Sequence, residues 1–473
     1  MIELGLLLLG GHLLRRYWYG LALIGLAWAL VGAWIFVDAL DGSPLFPIKT
    51  FGYLLLIESI AALAGSGNFA DPHFSLRRWR GVAMLVLSLL IIDARPSSHM
   101  VLAVLLGLGF ALDGGCRLVG AWVVHFEGWV WSLLVGVIEI VFAVFIFMPS
   151  ILSVYEFVPS TIWTYHTVFP FCIGLGMMLS GVGLLRRGWQ FHGLRPEVML
   201  SEMLMQGRDE ADCLMPLQSP PSSPCKLIVH VWTPSGSALE VVPAPLINRY
   251  IAAVDGAGVI STGHAALEFG TDVYVSHYPA VEIDRSSQDF RRALRATAEN
   301  DVDGLFQPDY AQESAEWCES DVKIRFAHFS ASRLYTFWRH YRVDTTYNLT
   351  KRNCSSSVAR CLEASLEGVM CSGRFWVLDL LRTMINPELW LASQLRRRAE
   401  SMAWTPGIML DYARALNAAV QPAPLGWPTL FAALGRSGRY IWLVVRGRPI
   451  PNIQAMRRKS EADMRKLDTA LTK

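Results

Sequence analysis

Gly263–Tyr278 reads GHAALEFGTDVYVSHY. His264–Phe269 alternates imperfectly, and Val273–Tyr278 is rich in β-branched and aromatic residues, so both segments read as strands. Gly270-Thr271 between them fits a two-residue II′ turn, whose first position has positive φ and favours glycine. A hairpin folded on that turn pairs Phe269 with Asp272 and, at its far end, His264 with His277. Directly opposed residues share a face, with Cβ atoms about 5 Å apart. The register alone would set two imidazoles side by side.

A second stretch completes the pattern. Tyr347–Leu366 reads YNLTKRNCSSSVARCLEASL. Asn353 is a plausible N-cap, and Val358, Cys361, Leu362 and Leu366 make an apolar helical stripe. Cys354 then falls in the first helical turn, where the dipole and unpaired N–H groups favour a thiolate. A thiolate, an imidazole to move its proton and a second group to orient that imidazole make a nucleophilic constellation. Taken singly, each residue has an ordinary reading: a lone cysteine is most often a buried thiol, and a lone strand histidine is structural.

These residues also resemble a known group. Gly263-His264, His277 and Asn353-Cys354, within roughly Lys226 to Met370, are similar to the circularly permuted, papain-like hydrolases of the NlpC superfamily, in particular its lecithin–retinol acyltransferase branch. The resemblance implies Cys354 as nucleophile, His264 as general base and acid, and His277 as the orienting third residue. Ser355-Ser356-Ser357 stands where the acyltransferases carry further marker residues, which leaves the substrate class open.

The rest of the chain is strongly apolar. It has 473 residues, 53% hydrophobic, with mean hydropathy +0.34, too greasy for an ordinary soluble protein and long enough for two or three domains. A net charge of +2 and the lack of a basic, aromatic-rich stripe give no sign of nucleic-acid binding. Its 8 cysteines show no CxxC or His-rich metal spacing, so neither metal nor cofactor is expected, and free thiols suit a reducing compartment. Met1–Leu14 is apolar but short, and its arginines follow the apolar run, unlike a cleavable signal.

Six apolar runs approach bilayer-crossing length: Tyr17–Val37, Ile48–Gly67, Trp79–Ile92, His99–Val124, Trp129–Met148 and Val168–Leu185. Arg15-Arg16, Arg77-Arg78-Arg80 and Arg186-Arg187 alternate with loops bearing Asp38, Asp41 and Glu156. The positive-inside rule then places both termini in the cytoplasm. Leu106–Trp122 aligns without gaps on Ile173–Trp189, matching Gly107 with Gly174, Gly109 with Gly176, Gly114 with Gly181 and Trp122 with Trp189. Three helical hairpins built on one unit follow. With Gly128–Ser150, this pattern resembles the HdeD family of bacterial acid-resistance membrane proteins, which implies a role in acid or envelope stress. Glu58, Asp113, Arg117 and Glu139 lie inside the runs; without an acidic ladder on successive helices, a structural Asp113–Arg117 pair is preferred to an ion path.

The expected architecture is therefore an all-α six-helix transmembrane bundle (1–195), a Pro/Ser-rich linker (196–225), an α+β papain-like domain with an antiparallel sheet (226–370), and an amphipathic helical tail (371–473). Within the soluble part, Leu227–Trp232 and Val322–Phe329 read as strands. Pro245–Val254, Phe290–Glu299, Ala331–Arg342, Arg374–Arg398 and Pro406–Val420 read as helices, and Ile441–Val445 is apolar. Asp301–Glu319 reads as a solvated acidic loop, His328 and His340 as competing bases without partners, and Tyr347 and Asn348 as structural rather than oxyanion-binding. Tail helices bearing Trp376, Trp390 and Trp404 suit either the inner leaflet or the catalytic domain.

Three function classes follow. The first is an inner-membrane, cytosol-facing cysteine peptidase or amidase acting on protein or lipid. The second is a stress-response membrane protein with a non-catalytic binding domain. The third is a lipid acyltransferase using the same residues. The bilayer is the expected partner in each, and self-association through the helical half is compatible with its glycines.

Overall fold

A computed structural model of the chain describes residues 1–40, 48–65, 74–93, 96–126, 128–155, 165–221, 226–233, 253–254, 260–261, 263–281, 283, 294–372 and 375–421. The first half is helical. It contains α1 (Ile2–Leu9), α2 (Gly11–Arg16), α3 (Trp18–Leu40), α4 (Ile48–Gly65), α5 (Phe74–Asp93), α6 (Pro96–Val124), α7 (Trp129–Tyr155) and α8 (Tyr165–Gln190). Three stretches among the described residues are long and apolar enough to cross a bilayer: Trp18–Leu40, Ala103–Val124 and Trp129–Met148.

Packing divides the chain into two compact units: Met1–Trp34, Leu108–Phe145 and Gly174–Pro422 form one, while Ile35–Gly107 and Ile146–Ile173 belong to the other. In the first unit α3 and α8 run antiparallel through glycines. A methyl on Gly25 would come within 2.5 Å of Leu185 N, and one on Gly32 within 2.4 Å of Met178 N. Such contacts let two backbones approach, which is how apolar helices gain packing energy in lipid. The repeat explains its own glycines in part. Gly114 abuts the Gly136 carbonyl as Gly181 abuts that of Gly25, whereas Gly109 and Gly176 have nothing within 4 Å of a notional Cβ. In the second unit α4 packs on α5, Gly52 against Ile91 and Ile92, and Gly81 against Leu63. The Asp113–Arg117 pair forms at 3.2 Å; Arg117 also meets Glu139 at 3.0 Å.

The second half is α+β. In chain order it has β1 (Leu227–Trp232), β2 (Ala253–Val254), β3 (Ile260–Ser261), β4 (His264–Phe269), β5 (Val273–Val275), β6 (His277–Pro279) and β7 (Gly304–Phe306). These are followed by α9 (Tyr310–Glu316), β8 (Val322–Phe326), α10 (Ala331–Tyr341), α11 (Cys354–Leu366), α12 (Trp376–Ile385), α13 (Pro387–Ser401) and α14 (Pro406–Val420). The main sheet is antiparallel in the order β5-β4-β1-β8, with β2-β3 and β6-β7 as separate pairs. Leu227, Val229, Val231, Ala265, Leu267, Phe269, Val273 and Val275 form one buried face, packed with Val358, Cys361 and Leu362 of α11.

Several expectations change. Ala253 and Val254 pair as a strand with Ser261 and Ile260 instead of ending a helix; 245–252 lies outside the described residues. Of the helix expected over Phe290–Glu299, only a short 3₁₀ turn at Ala298–Asn300 is found among the described residues. The single helix expected over Arg374–Arg398 is two, because Pro387 cannot continue α12 and instead opens α13, with Asn386 capping the Glu388 and Leu389 N–H groups. Ile441–Val445 lies outside the described residues.

The expected linker is largely docked. Met199, Leu200, Leu204, Cys213 and Met215 are buried in the core shared with the sheet, and Gln218 N–H donates to Thr336 Oγ1 at 2.8 Å. Interleaved Met, Leu and Cys give that segment apolar surface to bury, which its Pro/Ser composition disguises. The same core takes in α1, whose Leu6, Leu7 and Leu8 are fully buried, while Leu7 and Leu8 carbonyls accept from Gly368 and Met370 N–H at 3.0 and 2.9 Å.

Candidate active site

Helix α11 begins where the sequence places it. Asn353 Oδ1 accepts the Ser356 N–H at 2.9 Å and Ser356 Oγ accepts the Asn353 N–H at 2.8 Å, a reciprocal capping box. Asn353 Nδ2 donates to the Leu349 and Trp404 carbonyls, both at 2.8 Å, so the cap is pinned from two other segments. Cys354 follows in the first turn, partly exposed, its sulfur 3.7 Å from Ser355 Oγ.

His264 stands at the start of β4, opposite Trp232 of β1, and is buried. It lies beside Cys354, close enough that each shifts the other. Its Nε2 lies 2.8 Å from Ser276 Oγ and 3.3 Å from Glu313 Oε1, which leaves Nδ1 to meet the thiol. Glu313 comes from α9, a helix started by Asp309, whose side chain accepts the Gln312 N–H at 2.7 Å. Though buried, this carboxylate is well satisfied, accepting from Tyr274 OH, from Tyr278 OH at 2.7 Å and from Ser276 Oγ at 3.0 Å. The Tyr278 ring stacks on His264 with centroids 4.2 Å apart, and Trp317 presents an edge at 6.4 Å.

The electrostatics follow from these neighbours. Burial by itself drives both groups toward neutrality, raising the thiol and lowering the imidazole. Their mutual attraction outweighs it: Cys354 is held below the ordinary thiol range by His264, with help from the Ser355 hydroxyl and the Ala265 N–H. His264 is raised by Cys354 and then by Glu313. Both shifts run toward a thiolate beside an imidazolium, the form in which a cysteine attacks a carbonyl carbon.

His277 is placed elsewhere. The hairpin loop takes in Asp272 as well as Gly270 and Thr271, so Phe269 pairs with Val273 and Leu267 with Val275, one residue out of the expected register. Extended by the same step, His264 faces Tyr278, and His277 points to the opposite side of the strand. There Nδ1 lies 3.1 Å from Ser357 Oγ and Nε2 is 3.2 Å from the Thr345 carbonyl, with Phe306 stacked at 4.3 Å. Burial lowers this imidazole to about 4, keeping it neutral.

Cys354 and His264 thus converge from distant parts of the sequence, while the group on the far side of His264 is Glu313. That residue was hidden in the acidic stretch Asp301–Glu319, assigned to solvent. Its one sequence signal is Asp309 opening a turn, which puts Gln312 and Glu313 on a helix. The competing histidines do not enter the site: His328 is exposed, and His340 Nδ1 bonds the Thr336 carbonyl of its own helix at 2.8 Å. Asn348 is buried, its amide donating to Asp301 at 2.7 Å and its oxygen accepting from Thr350 and Lys351; Tyr347 packs its ring edgewise on His277. No group of three or more His, Cys, Asp or Glu arranged to hold a metal occurs among the described residues. Comparison of the chain with models of known families, with curated proteins and with solved structures finds no match.

Proposed function

We propose that the chain is a membrane-anchored thiol hydrolase that passes an acyl group through Cys354. The observation carrying this reading is the Cys354–His264–Glu313 series, in which a partly exposed thiol at a helix start lies beside a buried imidazole whose Nε2 is 3.3 Å from a buried carboxylate, with the thiol lowered and the imidazole raised. A binding module has no use for that charge separation. The Cys354 thiolate attacks a carbonyl carbon and forms a thioester, while His264 gives its proton to the departing amine or alkoxide. Water, or the hydroxyl of an acceptor, then attacks the thioester with His264 as base, and the thiol is restored. Glu313 and Ser276 hold the imidazole ring, and the Cys354 N–H at the helix start meets the oxyanion. Peptide, amide and lipid-ester substrates all fit this chemistry.

Packing supports a cytosolic site on a six-span anchor. The α1 segment, ahead of the first span, shares a core with the sheet that follows the last, so the chain crosses an even number of times. Three helices are apolar enough on their own; α8 lies along α3 and crosses with it, and the paired α4 and α5 add two more. The arginine pattern then puts both termini in the cytoplasm, where the thiol stays reduced.

Alkylation of the full chain in membranes tests the assignment. Iodoacetamide at pH 6 is expected to modify Cys354 ahead of Cys318 and Cys371, with Cys354→Ala removing the signal. Equal rates at all accessible thiols would sink it. If acid survival also persisted with Cys354→Ala, the helical half would carry the work and the soluble domain would be a binding module.

A further inference from the structure

We propose that α12 lies in the plane of the membrane, its outer face inserted into the leaflet that α3 enters. Successive helical residues turn by about 100°, which gathers Val377, Leu378 and Leu381 on one arc. All three are exposed, at 42%, 60% and 48%, and Phe375 just before the helix is 63% exposed. The opposite arc is committed to the protein: Leu380 and Asp379 are buried, Thr383 is fully buried, and Met384 abuts Gly5 of α1. Asp379 accepts from both the N–H and the hydroxyl of Ser372, so apart from Arg382 the polar residues of α12 are spent on the inner side. This inverts the usual order of a soluble helix, whose free face is polar.

The occupant is identified by continuity. The Trp376 ring stacks on Tyr17 with centroids 5.3 Å apart and reaches Gly20 of α3, where an added methyl would meet it at 2.4 Å. The outer face of α12 therefore joins the apolar surface of the first span at its first turn, beside Tyr19 and Leu23, exposed by 50% and 61%. Tyr17, Trp18, Tyr19 and Trp376 form an aromatic collar of the kind that sits at headgroup level. Arg16, over the Tyr17 ring at 5.4 Å, and Arg382, at the margin of the apolar arc, are both exposed and suit lipid phosphates. Trp404 differs, being buried in the core, and Trp390, though exposed, stands on α13, which directs Arg396 to Glu363 and Arg398 to Asp113.

The test uses the full chain in vesicles of phosphatidylcholine and phosphatidylglycerol containing a phospholipid with a photoactivatable acyl chain. Adducts on 375–381 are expected at roughly fivefold or more the level on the α9 peptide, comparable with those on α3. Leu378→Asp with Leu381→Asp should remove the α12 adducts while α3 stays labelled and buried Cys361 stays protected from alkylation. Cys354→Ala should label as the wild type does, since this surface is independent of the thiol chemistry. Lipid adducts on α3 but none on α12, the result if a second copy of the chain covers this face, would overturn the proposal. Adducts on neither would overturn it together with the membrane reading.

Discussion

His264 on β4 and His277 on β6 are both buried, and each meets a serine hydroxyl, at 2.8 Å from Ser276 and 3.1 Å from Ser357. Burial lowers both. At His264 a thiolate and a carboxylate reverse that effect; at His277 the partner is a neutral carbonyl, Arg352 and His264 oppose a proton, and Asp344 only partly offsets them. Charge state here is decided by the far-side partner and not by the residue type or its depth. Helix α11 repeats the lesson in cysteine: Cys354 is lowered beside His264, while Cys361, two turns along and surrounded by the apolar core, is pushed far up.

That contrast can be broken at four points. The largest effect is expected from His264→Ala, which returns Cys354 to an ordinary or burial-raised thiol. Its alkylation rate at pH 6 should fall by roughly a hundredfold or more, measured by quantitative mass spectrometry. Next comes the acid limb of stability. The unfolded chain binds a proton on this imidazole near pH 6.5 whereas the folded chain resists until about 4. Stability is therefore unaffected above that window and lost as pH falls through it, by about 3 kcal/mol in all. Thermal melts of the detergent-solubilised chain should show a shallower acid decline in His277→Gln.

A smaller change is expected from Glu313→Gln, about tenfold in Cys354 alkylation at pH 6, with the rate profile shifted because His264 loses one of its two raising partners. The smallest is His277→Gln in the same assay, within about twofold, because a neutral hydrogen-bonding side chain replaces a neutral ring. Should His277→Gln silence the thiol and Glu313→Gln spare it, the roles assigned to the two residues would be exchanged.

Much of this was legible beforehand. The bounds of β1, the Asn353 cap, the first-turn cysteine and α14 all follow from local periodicity and capping, which act over a few residues. The hairpin strands were legible too, but not their register. GTD accommodates a loop of two residues or of three, and that single residue decides which side of the strand His277 takes. Glu313 was hidden for a different reason. One carboxylate among many carries no local mark of burial; its three hydroxyl donors, Tyr274, Ser276 and Tyr278, come from the hairpin and are paired with it only by tertiary packing. The same holds for α1. Its apolar run is short and unlike a cleavable signal, and nothing local says which core takes it in.

The burial of α1 has a consequence for the order of assembly. These eight residues precede the whole sheet in the chain, yet the backbone groups of Gly368 and Met370 that bond them come only after it. Until then α1 has no core to enter, and the part of the core that it covers stays open. The surroundings of Cys354 therefore close late, only after the segment bearing Gly368 and Met370 has been made and α1 has docked on it.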